Sequence, residues 1–192
     1  MRKRLSADEQ QRVNAAAAEA ERRSSAEFAL VMVPVSDRYW PYPLVSAAVL
    51  ALIVTGAVAL LRPDFGIGMG FAIDALVFIG LSLVLDWLPL RLLLVPRRVK
   101  HGRAQHMAHR AFAARILARA RGRNGILFFV SEGERYVELI ADRDIHERVA
   151  QAAWDRIVAD FIAERRAGRL AAGLIGASEA CGALLAEHYP RG

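Results

Sequence analysis

At 192 residues, 55% hydrophobic and 24% charged, the chain has room for one ordinary core, or for a smaller domain with membrane segments. Segregation of the apolar residues into blocks favours the second. The net charge of +6 would suit nucleic acid, but no aromatic-interleaved basic stripe, zinc-ligand spacing or recognition helix accompanies it, so nucleic acid is excluded as a partner.

In chain order, Ser6 with Glu9 three residues on forms a capping box that opens an Ala- and Glu-rich helix ending near Arg23. After Ser24 and Ser25, the run EFALVMVPV at residues 27–35 is almost continuously apolar, the mark of a central strand buried on both faces; Pro34 limits it, because proline lacks a donor.

Residues 44–61 then read LVSAAVLALIVTGAVALL, 18 residues without a charge, and residues 67–85 form a second apolar stretch. Each is close to the ~20 residues a helix needs to cross a bilayer. The first lies too far into the chain for a signal peptide. Only Arg62-Pro63-Asp64 separates them, so they are expected to form an antiparallel hairpin, with Asp86 and Trp87 leaving the second helix through the interface. Arg2, Lys3, Arg4, Arg12, Arg22, Arg23 and Arg38 precede the hairpin, Arg97, Arg98, Lys100, Arg103 and Arg110 follow it, and the loop holds only Arg62. Positive flanks stay inside, which places both termini in the cytoplasm of a bacterial cell and makes the chain a multi-pass inner-membrane protein. Tyr39, Trp40, Tyr42 and Trp87 read as interfacial anchors, and Arg97, Arg98 and Lys100 as groups facing lipid headgroups.

Small residues recur at i+4 on both apolar helices: Ala47, Ala51, Thr55 and Ala59 on the first, Gly66 and Gly70 leading to Asp74 on the second. These stripes are expected to form the seam, with Thr55 hydrogen-bonded to Asp74. An acid at this depth also raises a weaker alternative, a part in ion or proton movement. The glycines at residues 66–70 are not a dinucleotide fingerprint, since no strand precedes them.

Beyond the hairpin, Ala104, Ala108, Phe112 and Ile116 recur through an Arg-rich helix expected to stop at residues 122–125. Two β-rich runs, 126–130 and 136–140, flank the Gly-containing connection SEGER and predict a β-hairpin. Two helices follow. One carries Trp154, Ile157, Val158 and Phe161 and stops at Gly168; the other carries Leu170, Leu174, Ser178, Cys181 and Leu185. Cys181, the single cysteine, cannot form an internal disulfide and reads as a small buried hydrophobe.

The fold class is therefore α/β: a small mixed sheet with helices on its faces and a right-handed crossover, interrupted by a two-helix transmembrane hairpin. The domain division is one split cytoplasmic domain, residues 1–42 and 97–192, around the hairpin at 43–96.

Residues 27–39 (EFALVMVPVSDRY), 94–100 (LVPRRVK), 124–131 (NGILFFVS), 135–148 (RYVELIADRDIHER), and 168–190 with Gly173, Gly182 and a terminal His188-Tyr189-Pro190 resemble the TPM domain, in particular its bacterial branch with an inserted transmembrane hairpin. That family includes a thylakoid lumenal protein of photosystem repair and an accessory protein of a nematode acetylcholine receptor. Acid phosphatase activity and bound calcium are attributed to some members, while others are non-catalytic partners of membrane complexes. The resemblance implies two functions of different class, an accessory or assembly factor and a metal-dependent phosphatase. It also implies that Asp144 occupies a turn position usually held by glycine, where aspartate would accept a positive φ.

For the hydrolase the candidate catalytic residues are Asp37 and Asp142, at strand ends with Ser131, and the candidate metal ligands are Asp142 and Asp144. No cofactor is firmly implied; calcium is the one these oxygens would take. Because the third strand runs antiparallel to the second, Asp142 is expected at the opposite sheet edge from Ser131. Asp142 then reads better as the last strand residue or as a helix cap. His106 and His109 share a helix face, but beside so many arginines a solvated role is favoured over a metal site; His101 lies nearby, and His146 and His188 sit at helix ends as caps or packing groups. The favoured reading is a non-catalytic module whose partners are the bilayer and a membrane protein or complex.

Overall fold

Local rules account for the start of the chain. The structure, a computed structural model, describes residues 5–62, 66–117 and 124–190. In α1 (Ala7–Arg22) the Glu9 amide donates to Ser6 Oγ at 3.1 Å and the Ser6 amide to the Glu9 carboxylate at 2.8 Å. Two donors that no helix carbonyl can reach are thereby satisfied.

Contacts divide the chain into two units, Met1–Pro34 with Ala104–Gly192, and Val35–Arg103. The first holds a three-stranded sheet in the order β1 (Glu27–Val33), β2 (Gly125–Ser131), β3 (Tyr136–Ala141). β1 pairs with β2 in parallel, Glu27 opposite Gly125 and Val33 opposite Ser131, whereas β3 pairs with β2 antiparallel, Ser131 opposite Tyr136. β1 is thus an edge strand, which corrects the expectation of a central one. Every residue of β2 is buried, while five of the seven in β1 are only partly so. A continuous apolar run reports that both faces are covered; it carries no information on whether both edges are paired.

Side chains alternate between two faces. Phe28, Ile126, Phe128 and Val130 join Val13, Trp154, Phe161 and Leu174 in the larger core, where Phe128 and Phe161 meet edge to face at 5.3 Å. Val31, Leu127 and Phe129 pack on the other side with Ala108 and Ile116. Ala108 belongs to α5 (Arg97–Phe112), and Ile116 to a π-helical turn at Ala113–Leu117 that extends it. Of the stop expected for this helix at 122–125, residues 122 and 123 lie outside the described residues. Gly125 itself opens β2, where Ile116 leaves no room for a Cβ.

α6 (Arg143–Arg148), α7 (Gln151–Arg166) and α8 (Leu170–His188) complete this unit. At the end of α7, Gly168 (φ 78°) and Arg169 return their amides to the carbonyls of Arg165 and Glu164, a Schellman termination. The C-terminal end of α8 is tied to the approach to β1 and to α6: the Ser25 amide donates to the Tyr189 carbonyl, and the Tyr189 hydroxyl to the Asp144 carbonyl, each at 2.9 Å.

The second unit contains α2 (Pro41–Leu61), α3 (Ile67–Leu85) and α4 (Leu88–Leu94). α2 and α3 pack together as a helical hairpin; residues 63–65 of the expected turn lie outside the described residues. Among the described residues, three helices are long and apolar enough to cross a membrane: α2, α3 and α8. They differ in what covers them. In the apolar windows of α2 and α3 only 11% and 0% of residues are buried, against 39% in α8. α8 places Leu174, Cys181 and Leu185 in the core, so its apolar character is accounted for by packing. Burial pushes the Cys181 thiol up to about 12, as expected of an inert, desolvated cysteine.

A Cβ on Gly182 would meet the Cα and Cβ of Ala20 at 2.8 Å. Gly182→Ala is therefore expected to lower stability by about 1–3 kcal/mol, seen as faster hydrogen exchange of the α1 amides, whereas Gly176→Ala, with nothing within 4 Å, should leave them unchanged.

Candidate functional site

Strand direction decides which candidates can meet. β1 and β2 end on the same side, at Val33 and Ser131, but β3 returns, and the Asp142 amide donates to Gly125 at the start of β2. Ser131 and Asp142 are thus a strand length apart, about 20 Å at ~3.3 Å per residue. Opposite edges were expected, and are found.

Asp142 serves as the N-cap of α6. Its Oδ1 accepts from the Arg143 amide at 2.6 Å, and its carbonyl takes the amides of Ile145 and His146. Asp144 lies exposed in the first turn of α6. The expected positive φ at Asp144 is not found; among described non-glycine residues it occurs at Tyr39 and Arg135. The reason is local: the cap starts a helix at Arg143, and a first-turn acid there is favoured by the helix dipole. Among the described residues no three His, Cys, Asp or Glu side chains are grouped to hold a metal ion.

The Ser131 end carries more chemistry than the sequence revealed. Ser131 donates to Glu134, both buried. On the same sheet face as Ser131, the Tyr136 hydroxyl donates to Glu138 at 2.9 Å, and His109 Nε2 lies 3.7 Å from the same carboxylate. Burial raises the Tyr136 hydroxyl far above the ordinary range, and the Glu138 carboxylate adds to this. Glu138 was findable from the period-2 pattern, since it interrupts an otherwise apolar strand. Glu134 sits in the turn and gave no such signal. Beside this turn lies a cleft of about 570 Å³, with Val130, Val137, Phe161 and Ile162 as its floor and Arg135, Arg165 and Arg166 around it. Arg165 also donates to the Glu132 carbonyl at 3.2 Å.

In the second unit, Asp37 pairs with Arg103 at 3.3 Å and takes its neighbour's amide, from Arg38, at 2.6 Å. Asp86 caps the end of α3 and pairs with Arg91 at 3.1 Å. Arg97 and Arg98 are exposed, but the Lys100 ammonium donates to the Leu92 carbonyl at 2.9 Å. Trp40 and Trp87 are exposed, whereas Tyr39 is packed with Leu92 and Val95 instead of lying free at an interface. His106 and His146 are exposed, and His188 Nδ1 lies 3.0 Å from the Leu184 carbonyl in its own helix.

Within the hairpin, Thr55 Oγ1 donates to Asp74 Oδ1 at 3.0 Å, the pairing expected from the stripes. The stripes themselves behave differently along their length. Ala47 and Ala51 are fully buried, but an added Cβ on Gly66 or Gly70 meets nothing within 4 Å. Close approach is therefore an alanine contact, and towards the loop a groove opens beside Gly56, Gly70 and Asp74.

Asp142→Ala is expected to lower stability by about 0.5–2 kcal/mol through loss of the cap, and Asp142→Asn by far less, because an amide oxygen still accepts. Thermal unfolding separates the two; equal losses would point to the charge instead. In lipid bicelles, a double-mutant cycle of Thr55→Val with Asp74→Leu should give a coupling of about 0.6–2 kcal/mol.

The comparisons with known proteins agree with this architecture. The structure resembles the NMR structure of the BA42 protein from the psychrophilic bacterium Bizionia argentinensis, with a TM-score of 0.58 and 15% identity over 99% of this chain and 87% of that one. At this identity the likeness concerns the fold. No curated protein matches the chain. The sequence model of the TPM domain matches residues 89–184, half of the chain, which includes β2, β3, the α6 cap and most of α8. The chain belongs to the TPM domain family.

Proposed function

We propose that this TPM domain protein is anchored in a bacterial inner membrane by the α2–α3 hairpin, both termini cytoplasmic, and acts as a non-catalytic accessory or assembly module on a membrane protein complex. The observation that carries the reading is the use already made of Asp142: its carboxylate caps α6, a strand length from Ser131. Ser131 is in turn buried against Glu134, an arrangement that shields the hydroxyl from a substrate. The anchor is supported by the side chains α2 and α3 leave uncovered, among them Leu52, Ile53, Phe71 and Leu76. Apolar surface of this extent is stable in lipid and costly in water. Arginines flank the hairpin on both sides, consistent with flanks retained in the cytoplasm.

A reporter active only outside the cytoplasm should work when inserted near Asp64 and fail at the C-terminus; the reverse pattern inverts the topology. The purified full chain in detergent should not hydrolyse phosphomonoesters with calcium or magnesium present. Metal-dependent hydrolysis lost on Asp37→Asn or Asp142→Asn would establish the phosphatase reading instead. An unchanged phenotype of Asp74→Asn dismisses an ion or proton role for that carboxyl.

A further inference from the structure

β3 is the last strand of its sheet, and among the described residues no strand pairs with its outer side. The hydrogen bond from the Asp142 amide to Gly125 fixes which residues face inward: in an antiparallel ladder, hydrogen-bonded pairs alternate with non-bonded ones. Tyr136, Glu138 and Ile140 therefore point their amides and carbonyls at β2. Val137, Leu139 and Ala141 point theirs outward, where no described strand pairs with them. Such an edge is a template for another strand unless proline, a bulge or charge blunts it; YVELIA has no proline or lysine, and its one charge, Glu138, accepts from Tyr136 on the sheet face opposite Val137.

The cleft meets this edge at its turn end, where Tyr136 and Val137 line it. Val137 contributes both an outward amide and part of the apolar floor, and Arg135, Arg165 and Arg166 add positive charge around it. Arg135 and Arg166 are exposed, and no carboxylate among the described residues pairs with either. Glu134, in the same turn, is buried and accepts from Ser131. Arg135 also holds φ 54°, a left-handed conformation that glycine would adopt at lower cost.

We propose that the β3 edge and this cleft bind an extended acidic segment of a partner protein, which adds as a fourth strand and sets a carboxylate among Arg135, Arg165 and Arg166. Main-chain bonds to Val137, Leu139 and Ala141 would supply affinity, and the arginines the choice of an acidic sequence. Cross-strand neighbours share a face, so the recognised acids recur at every second residue. The proposal rests on the accessory reading and names the chemistry of its partner.

The test uses the full chain in lipid nanodiscs and a fluorescein-labelled eight-residue peptide of alternating Glu and Val, read by fluorescence anisotropy. Saturable binding is expected, at least tenfold weaker for Arg135→Glu/Arg166→Glu and for a Lys-Val peptide. The same Glu-Val peptide N-methylated at every backbone amide keeps its charge but has no main-chain donor on either edge, and should also bind at least tenfold weaker. Absence of saturable binding, or equal binding of the methylated peptide, overturns the proposal. Metal-dependent phosphatase activity with peptide binding intact would sink the accessory reading and leave this surface standing. Lack of both binding and hydrolysis would sink the surface alone.

Discussion

A parallel pair of strands cannot be closed by a tight turn; it needs a connection long enough to travel the length of the sheet and return. β1 and β2 are such a pair, and everything between Val33 and Gly125 in the chain is the connection. Pairing β1 with β2 buries Phe28, Ile126 and Phe128 on one face and Val31, Leu127 and Phe129 on the other. The strands could not hold these two cores without that register. β2 is consequently the most constrained element, flanked by neighbours on both edges and covered on both faces.

The remaining contacts protect this arrangement at its ends. Tyr189 closes the larger core by bonding to the Asp144 carbonyl and the Ser25 amide, which joins the last helix to the approach to β1 and to α6. The Asp142 cap determines where β3 stops and α6 begins. An acid that resembles a catalytic group in the sequence thus accepts the first amide of a helix through one carboxylate oxygen, a structural demand that any short helix makes.

Much of the architecture was legible because local chemistry and periodicity agreed. The capping box at Ser6, the breaks at Pro34 and Gly168, the β-hairpin around residues 131–135 and the period of Leu174, Ser178, Cys181 and Leu185 all appear where the residues predict. Thr55 and Asp74 met because i+4 spacing puts residues on one face whatever the helix packs against. Less was legible where the answer depended on a neighbour. β1 read as central because its apolar run records covered faces, and Gly66 and Gly70 read as contact residues although an added Cβ at either meets nothing within 4 Å. Asp144 read as a turn residue because a family pattern stood in for a backbone angle.

The site divides along the same line. By itself the sequence determined residue type, charge and spacing: two long apolar helices, basic flanks, a Gly-containing turn, and Asp142 at the end of a strand. Only the tertiary structure decided that Ser131 and Glu134 are mutually buried, that Tyr136 and His109 converge on Glu138, and that Arg135 shares a cleft with Arg165 and Arg166. The physical reason is distance along the chain. Caps, turns and helix faces are set by residues within about five positions of one another, whereas the last two of these clusters depend on how β3 lies against elements contributed from elsewhere in the chain.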